Sequence, residues 1–206
     1  MDLKSQEVQL LIRLGRLFLY FVLVFAFILG IHFLAKVYGL VVFDENGWVE
    51  NIQLALLCIS GLSFGGQAII FPAYRTVLLF LMCCCLFASC RELDATLDAL
   101  VPILHWKIAY IFPLSALAYI WKFRMKARKQ FCDFFNMQAF YLMFLAAVIV
   151  LPVAQCIGHG SFVRNVLGTD RVADIKEFFE EAVEIVGYFL VLLSSVEMYC
   201  NIKAKR

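Results

Sequence analysis

Charge is scarce in this sequence. Asp, Glu, Lys and Arg make up 17% of its 206 residues, where soluble domains carry about 25%. No polar stretch is long enough for a soluble domain, which takes at least about 50 residues. Internal repeats are absent too, which argues against an inverted-repeat transporter. There is no G-x-S-x-G elbow, no Walker loop and no dinucleotide fingerprint, so lipase-like and nucleotide chemistry are disfavoured. Nothing supports nucleic acid as a partner. The eight cysteines form no C-x-x-C pair, which removes the common zinc and thioredoxin patterns. Cys83, Cys84 and Cys85 fall in the middle of an apolar run, where a free thiol acts as a small hydrophobe. Cys90 and Cys156 are expected to stay unpaired.

What the chain has instead is apolar sequence: 64% of it is A, V, I, L, M, F, W, Y or C. About 20 apolar residues suffice to carry a helix across a ~30 Å hydrocarbon core. Six such runs are present, near 17–37, 48–71, 76–97, 106–121, 134–157 and 182–201. The expected fold is therefore all-α: a polytopic integral membrane protein, one transmembrane domain over 1–206, folded as a six-helix bundle. Trp48, Trp106 and Trp121 mark span ends, as an aromatic belt requires. Pro72 closes the second span, and Pro113 predicts a kink in the fourth. Residues 1–16 read as a short interfacial segment leading into a retained first span. Gly61 and Gly65 are spaced for close packing of the second span against a neighbour within the chain.

Orientation follows from Lys and Arg. Twelve of the 18 fall in the terminal segments and the even-numbered loops, with the basic stretch 122–129 the densest. Both termini are thus expected in the cytoplasm. Twelve of the 16 acids, and all three histidines, fall at the opposite, outer end. In a bacterium that face is periplasmic.

Five spans can deliver polar side chains to this outer region. The second brings Glu50 and Gln53, three residues apart. The third brings Arg91, Glu92 and Asp94. The fourth brings His105 and Lys107, and the fifth His159. The sixth brings Glu180, Glu181 and Glu184 from the run EFFEEAVE at 177–184, where Glu177, Glu180 and Glu184 share a helix face. Glu50, Glu92, Asp94, Glu180 and Glu184 are the candidate catalytic acids. His105, His159, Glu180 and Glu184 are the candidate metal ligands, a set suited to Zn, Mn or Fe. A divalent metal there can activate water for hydrolysis. Arg91 and Lys107 are candidate partners for the acids, and such pairs also pin membrane helices together.

The segments DENGWVE at 44–50, RELD at 91–94 and EEAVE at 180–184 resemble small six-span bacterial inner-membrane proteins with no assigned activity. The resemblance covers the outer ends of spans two, three and six. It implies a multi-pass inner-membrane location and brings no mechanism with it. Alkaline ceramidases and adiponectin receptors also set a metal among membrane helices, but with seven spans and an H-x-x-x-H pair. This sequence has no such pair and is not placed among them.

The functional expectation is an outer-face site acting on a lipid or lipid-linked substrate, as a metal-dependent hydrolase. The alternatives are an ion-coupled carrier using the same acids, and a non-enzymatic scaffold in which they only join helices. Membrane lipids are the expected surroundings in all three cases.

Overall fold

A computed structural model describes residues 3–43, 47–93, 105–157, 159, 165 and 172–205. Every regular element among them is helical. Among the described residues, five helices are long and apolar enough to cross a membrane: Glu7–Tyr38, the one that ends at Ile70, Pro72–Glu92, Gln138–Ile157 and Lys176–Ala204. The chain is a multi-pass membrane protein.

Helix α1 runs Leu3–Tyr38. It runs on through Arg16, because no proline interrupts this stretch and Gly15 costs a helix only about 1 kcal/mol. Gly39, at φ 76°, takes the left-handed conformation that closes a helix, and its N–H reaches Ala35 O at 2.9 Å. Residues up to Val42 form one compact unit and Phe43 onward a second.

Helix α2 (Trp48–Ile70) stops at Phe71, since Pro72 lacks an N–H and disfavours helical backbone in the residue before it. A short 3-10 turn, Pro72–Tyr74, leads into α3 (Arg75–Glu92). The two pack antiparallel: Cys58 faces Ser89 at 3.9 Å, and Cβ atoms built on Gly61 and Gly65 would meet Cys85 Cβ at 3.3 Å and Met82 Sδ at 3.0 Å. The small-residue pair thus serves packing within the chain.

The fourth expected span is divided. A 3-10 segment, His105–Tyr110, precedes α4 (Ile111–Lys122). Pro113 does not kink a continuous helix. It has no N–H to bond the carbonyl four residues back, so it lies where the 3-10 pattern gives way to the α pattern. The basic stretch expected as a loop is part of a helix, α5 (Arg124–Phe135). It buries Ala127, Gln130 and Phe134 and exposes Arg124, Lys126, Arg128 and Lys129. Gln130 Oε1 accepts from the N–H groups of Thr76 at 2.8 Å and Val77 at 3.3 Å, so α5 caps the start of α3.

Helix α6 (Gln138–Ile157) widens to π geometry over Ile149–Val153, around Pro152. Helix α7 (Val172–Ala204) passes close by it. A Cβ built on Gly187 would overlap Val150 Cγ2, so only glycine permits this approach.

Helix α7 organises the second unit. Gln53 Nε2 donates to the carbonyl of Glu181 and Gln67 Nε2 to that of Ser195, so α2 and α7 run parallel. Asn201 Oδ1 accepts from Gln138 N at 3.0 Å, Ser194 donates to Ala139 O, and Gln155 reaches Glu180, so α6 and α7 run antiparallel. The apolar core, with Phe64, Leu78, Phe134, Met137 and Met198, sits toward the end of the bundle where α2 and α7 finish. Polar groups gather at the other end, called the acidic end below.

Candidate carboxylate site

Three positions on α7, Glu181, Glu184 and Tyr188, are spaced three and four residues apart and share a face. Helix α3 meets that face with its last two residues. Arg91 Nη2 lies 2.8 Å from Glu184 Oε1. Tyr188 donates its hydroxyl to Glu92 Oε1 at 2.6 Å. Adjacent residues on α3 therefore hold positions one turn apart on α7. From α2, Gln53 Nε2 donates to Glu181 Oε2 at 2.7 Å. From α6, Gln155 Nε2 donates to Glu180 Oε1 at 3.1 Å and Glu184 Oε1 at 3.3 Å. Four helices thus contribute.

Glu92, Glu181 and Glu184 each offer a carboxylate oxygen, and the three oxygens lie within 4.8 Å of one another. Oxygens bound to one cation can be up to about 4–5 Å apart, twice a metal–oxygen distance of about 2.0–2.6 Å. Two members of the group are enclosed, Glu184 at 1% exposed and Glu92 at 8%, and Glu181 is half-buried. Like charges repel strongly in such surroundings. Were all three carboxylates ionised, the single Arg91 guanidinium would leave two negative charges to be balanced. The side chain of Arg91 is 38% exposed, so it faces the cluster on one side and the surroundings on the other. Gln53 Oε1 is buried without a hydrogen-bond partner among the described residues, an omission that costs a protein about 1–3 kcal/mol if nothing fills it.

The residues singled out from sequence are distributed as follows. Glu92 and Glu184 are in the cluster. Glu180 lies at its rim, bonded to Gln155 and 3.7 Å from Lys176. Glu50 is half-buried one turn before Gln53 and acts electrostatically on both Glu92 and Glu181. Arg91 pairs with Glu184. Lys107 is exposed, and His159 is exposed and is not a member of the three-carboxylate group. Asp94 and the side chain of His105 lie outside the described residues. Glu177 is exposed, and Glu181 takes the place on the shared face that its spacing suggested.

Tyr188 and Gln155 were not singled out. Tyr188 is hidden in an apolar run, where an aromatic reads as core. Gln155 follows the π segment around Pro152, which alters its facing.

A scan against protein-family models matched none, and comparisons with curated proteins and with solved structures returned no match.

Proposed function

We propose that this chain is a six-span bacterial inner-membrane protein with both termini in the cytoplasm. Its periplasmic end would hold a divalent cation on Glu92, Glu181 and Glu184 and hydrolyse a lipid or lipid-linked substrate. The observation that carries the reading is the convergence of three carboxylates from two helices, Glu92 and Glu184 buried and Glu181 half-buried, with Arg91 paired to Glu184. Ionisable groups so placed within membrane spans are costly and tend to mark function. A cation there would polarise a bound water and the scissile group. Arg91, open on one side, is placed to take an anionic head group, and Glu50 or Glu180 at the margin to accept a proton.

Six spans are supported by the directions of the helices. Helix α3 finishes at the acidic end and α6 starts at the opposite end, so the chain between them has to cross. The 12 residues of α4 give about 18 Å, and the six 3-10 residues before it about 12 Å. Together they match a ~30 Å hydrocarbon core.

The scaffold reading is favoured by one observation, the Arg91–Glu184 pair that ties α3 to α7. The deciding experiment is metal analysis of the purified protein beside turnover of phospholipids and lipid-linked phosphates. Wild type is expected to retain close to one divalent ion per chain and to release product. Glu181→Gln and Glu184→Gln should lose both while staying folded. Folded wild type that retains no ion and releases no product would leave the scaffold. Ion uptake into vesicles without turnover would favour a carrier.

A further inference from the structure

Gln53 is fully buried on α2. Its Nε2 points at two acceptors on α7, Glu181 Oε2 at 2.7 Å and the Glu181 carbonyl at 3.3 Å. A backbone carbonyl only accepts, as does a carboxylate that holds a cation, so turning the amide over would set oxygen against oxygen. The orientation is fixed, and Oε1 is left in the interior with no partner among the described residues. An enclosed acceptor calls for a donor, a water or a cation.

Gln67 supplies an internal comparison. It lies fourteen residues further along α2, donates to Ser63 Oγ at 3.1 Å and the Ser195 carbonyl at 2.9 Å, and also leaves its Oε1 buried and unserved among the described residues. An unserved glutamine oxygen is therefore a recurring feature of the α2–α7 seam. Gln53 differs in what surrounds it: its amide rests on one of three converging carboxylates, whereas Gln67 rests on a hydroxyl and a carbonyl.

We infer that Gln53 Oε1 is a fourth oxygen ligand of the site formed by Glu92, Glu181 and Glu184, and that its ion is a hard divalent cation of the Mg²⁺, Mn²⁺ or Ca²⁺ class. This rests on the cation reading proposed above. Three carboxylates and one guanidinium leave a formal charge of minus two, which one divalent ion cancels. The amide carbonyl adds coordination without adding charge. Carboxylate and carbonyl oxygens are the ligand set of hard cations, whereas structural zinc sites are built from nitrogen and sulfur.

The test is titration of Mn²⁺ alone into the purified full-length chain, followed by the loss of the free-ion paramagnetic resonance signal, with Mg²⁺, Ca²⁺ and Zn²⁺ as competitors. Gln53→Leu should weaken Mn²⁺ binding tenfold or more, since removing even a supporting group around a metal costs about 10–100-fold. Gln67→Leu should bind like wild type, and Mg²⁺ or Ca²⁺ should displace Mn²⁺. Folded Gln53→Leu that binds Mn²⁺ as wild type does would remove Gln53 from the site and leave the three carboxylates standing. Equal losses in Gln53→Leu and Gln67→Leu would mean that both residues only hold the seam together. A site that Zn²⁺ alone fills overturns the hard-cation assignment. Wild type that binds none of the four ions brings down this inference and the cation reading together, with protons balancing the charge.

Discussion

Glu184 is at once a proposed ligand and one half of an ion pair, and substitution separates the two roles. Glu184→Gln strands the Arg91 guanidinium. Breaking a fully buried pair costs about 3–5 kcal/mol. Arg91 is partly open, so a loss of about 1–3 kcal/mol is expected, read as a fall in thermal midpoint in detergent. Adding Arg91→Gln should restore part of it. An unchanged midpoint in the single variant would show that the pair does not hold α3 to α7. Both partners were legible in the sequence because a charge inside an apolar run is conspicuous. The face they occupy was less so. Glu177, Glu180 and Glu184 have the same spacing as Glu181, Glu184 and Tyr188, and only the neighbours on α2 and α3 select the second set. No periodicity in α7 itself contains that information.

At the scale of elements, the cap on α3 is a contact between distant parts of the sequence. Gln130→Leu removes the acceptor for the Thr76 and Val77 N–H groups. By analogy with lost helix caps it should cost about 0.5–2 kcal/mol, with faster amide exchange confined to the first turn of α3. Exchange unchanged there would mean that the cap is dispensable. Helix α2 was legible almost to its ends, because Trp48 and Pro72 punctuate it. Helix α4 was not: Pro113 marks a change of helix type, and hydropathy is indifferent to helix type. Helix α5 was hidden by its charge, since a basic stretch between spans reads as a loop until three inward positions, Ala127, Gln130 and Phe134, are seen to share a face. Helices α1 and α7 both start earlier than their apolar stretches, because helical hydrogen bonding continues past the point where hydropathy falls.

For the whole molecule, topology is the exposed assumption. Reporters placed at Lys126 and after Arg206 should read as cytoplasmic, and one inserted at residue 168 as periplasmic. A periplasmic signal at Lys126 would mean that residues 105–122 do not cross. That would contradict the helix directions, in which α3 finishes at the acidic end and α6 starts at the opposite one. The fold class was legible because lipid forces every spanning segment to satisfy its own backbone, which leaves helices or a closed barrel. The pairing of those helices was not, since it depends on contacts such as Gln53 with Glu181, separated by 128 positions. That separation is also an interval of time. At about 5–20 residues per second, a ribosome needs roughly 6–25 s to travel from one of these residues to the other. Throughout that interval Gln53, and for much of it Arg91 and Glu92, are in or near the bilayer without the helix that completes their surroundings. A chain interrupted before α7 would display an unmatched charge to the insertion machinery, a mark by which incomplete molecules differ from finished ones.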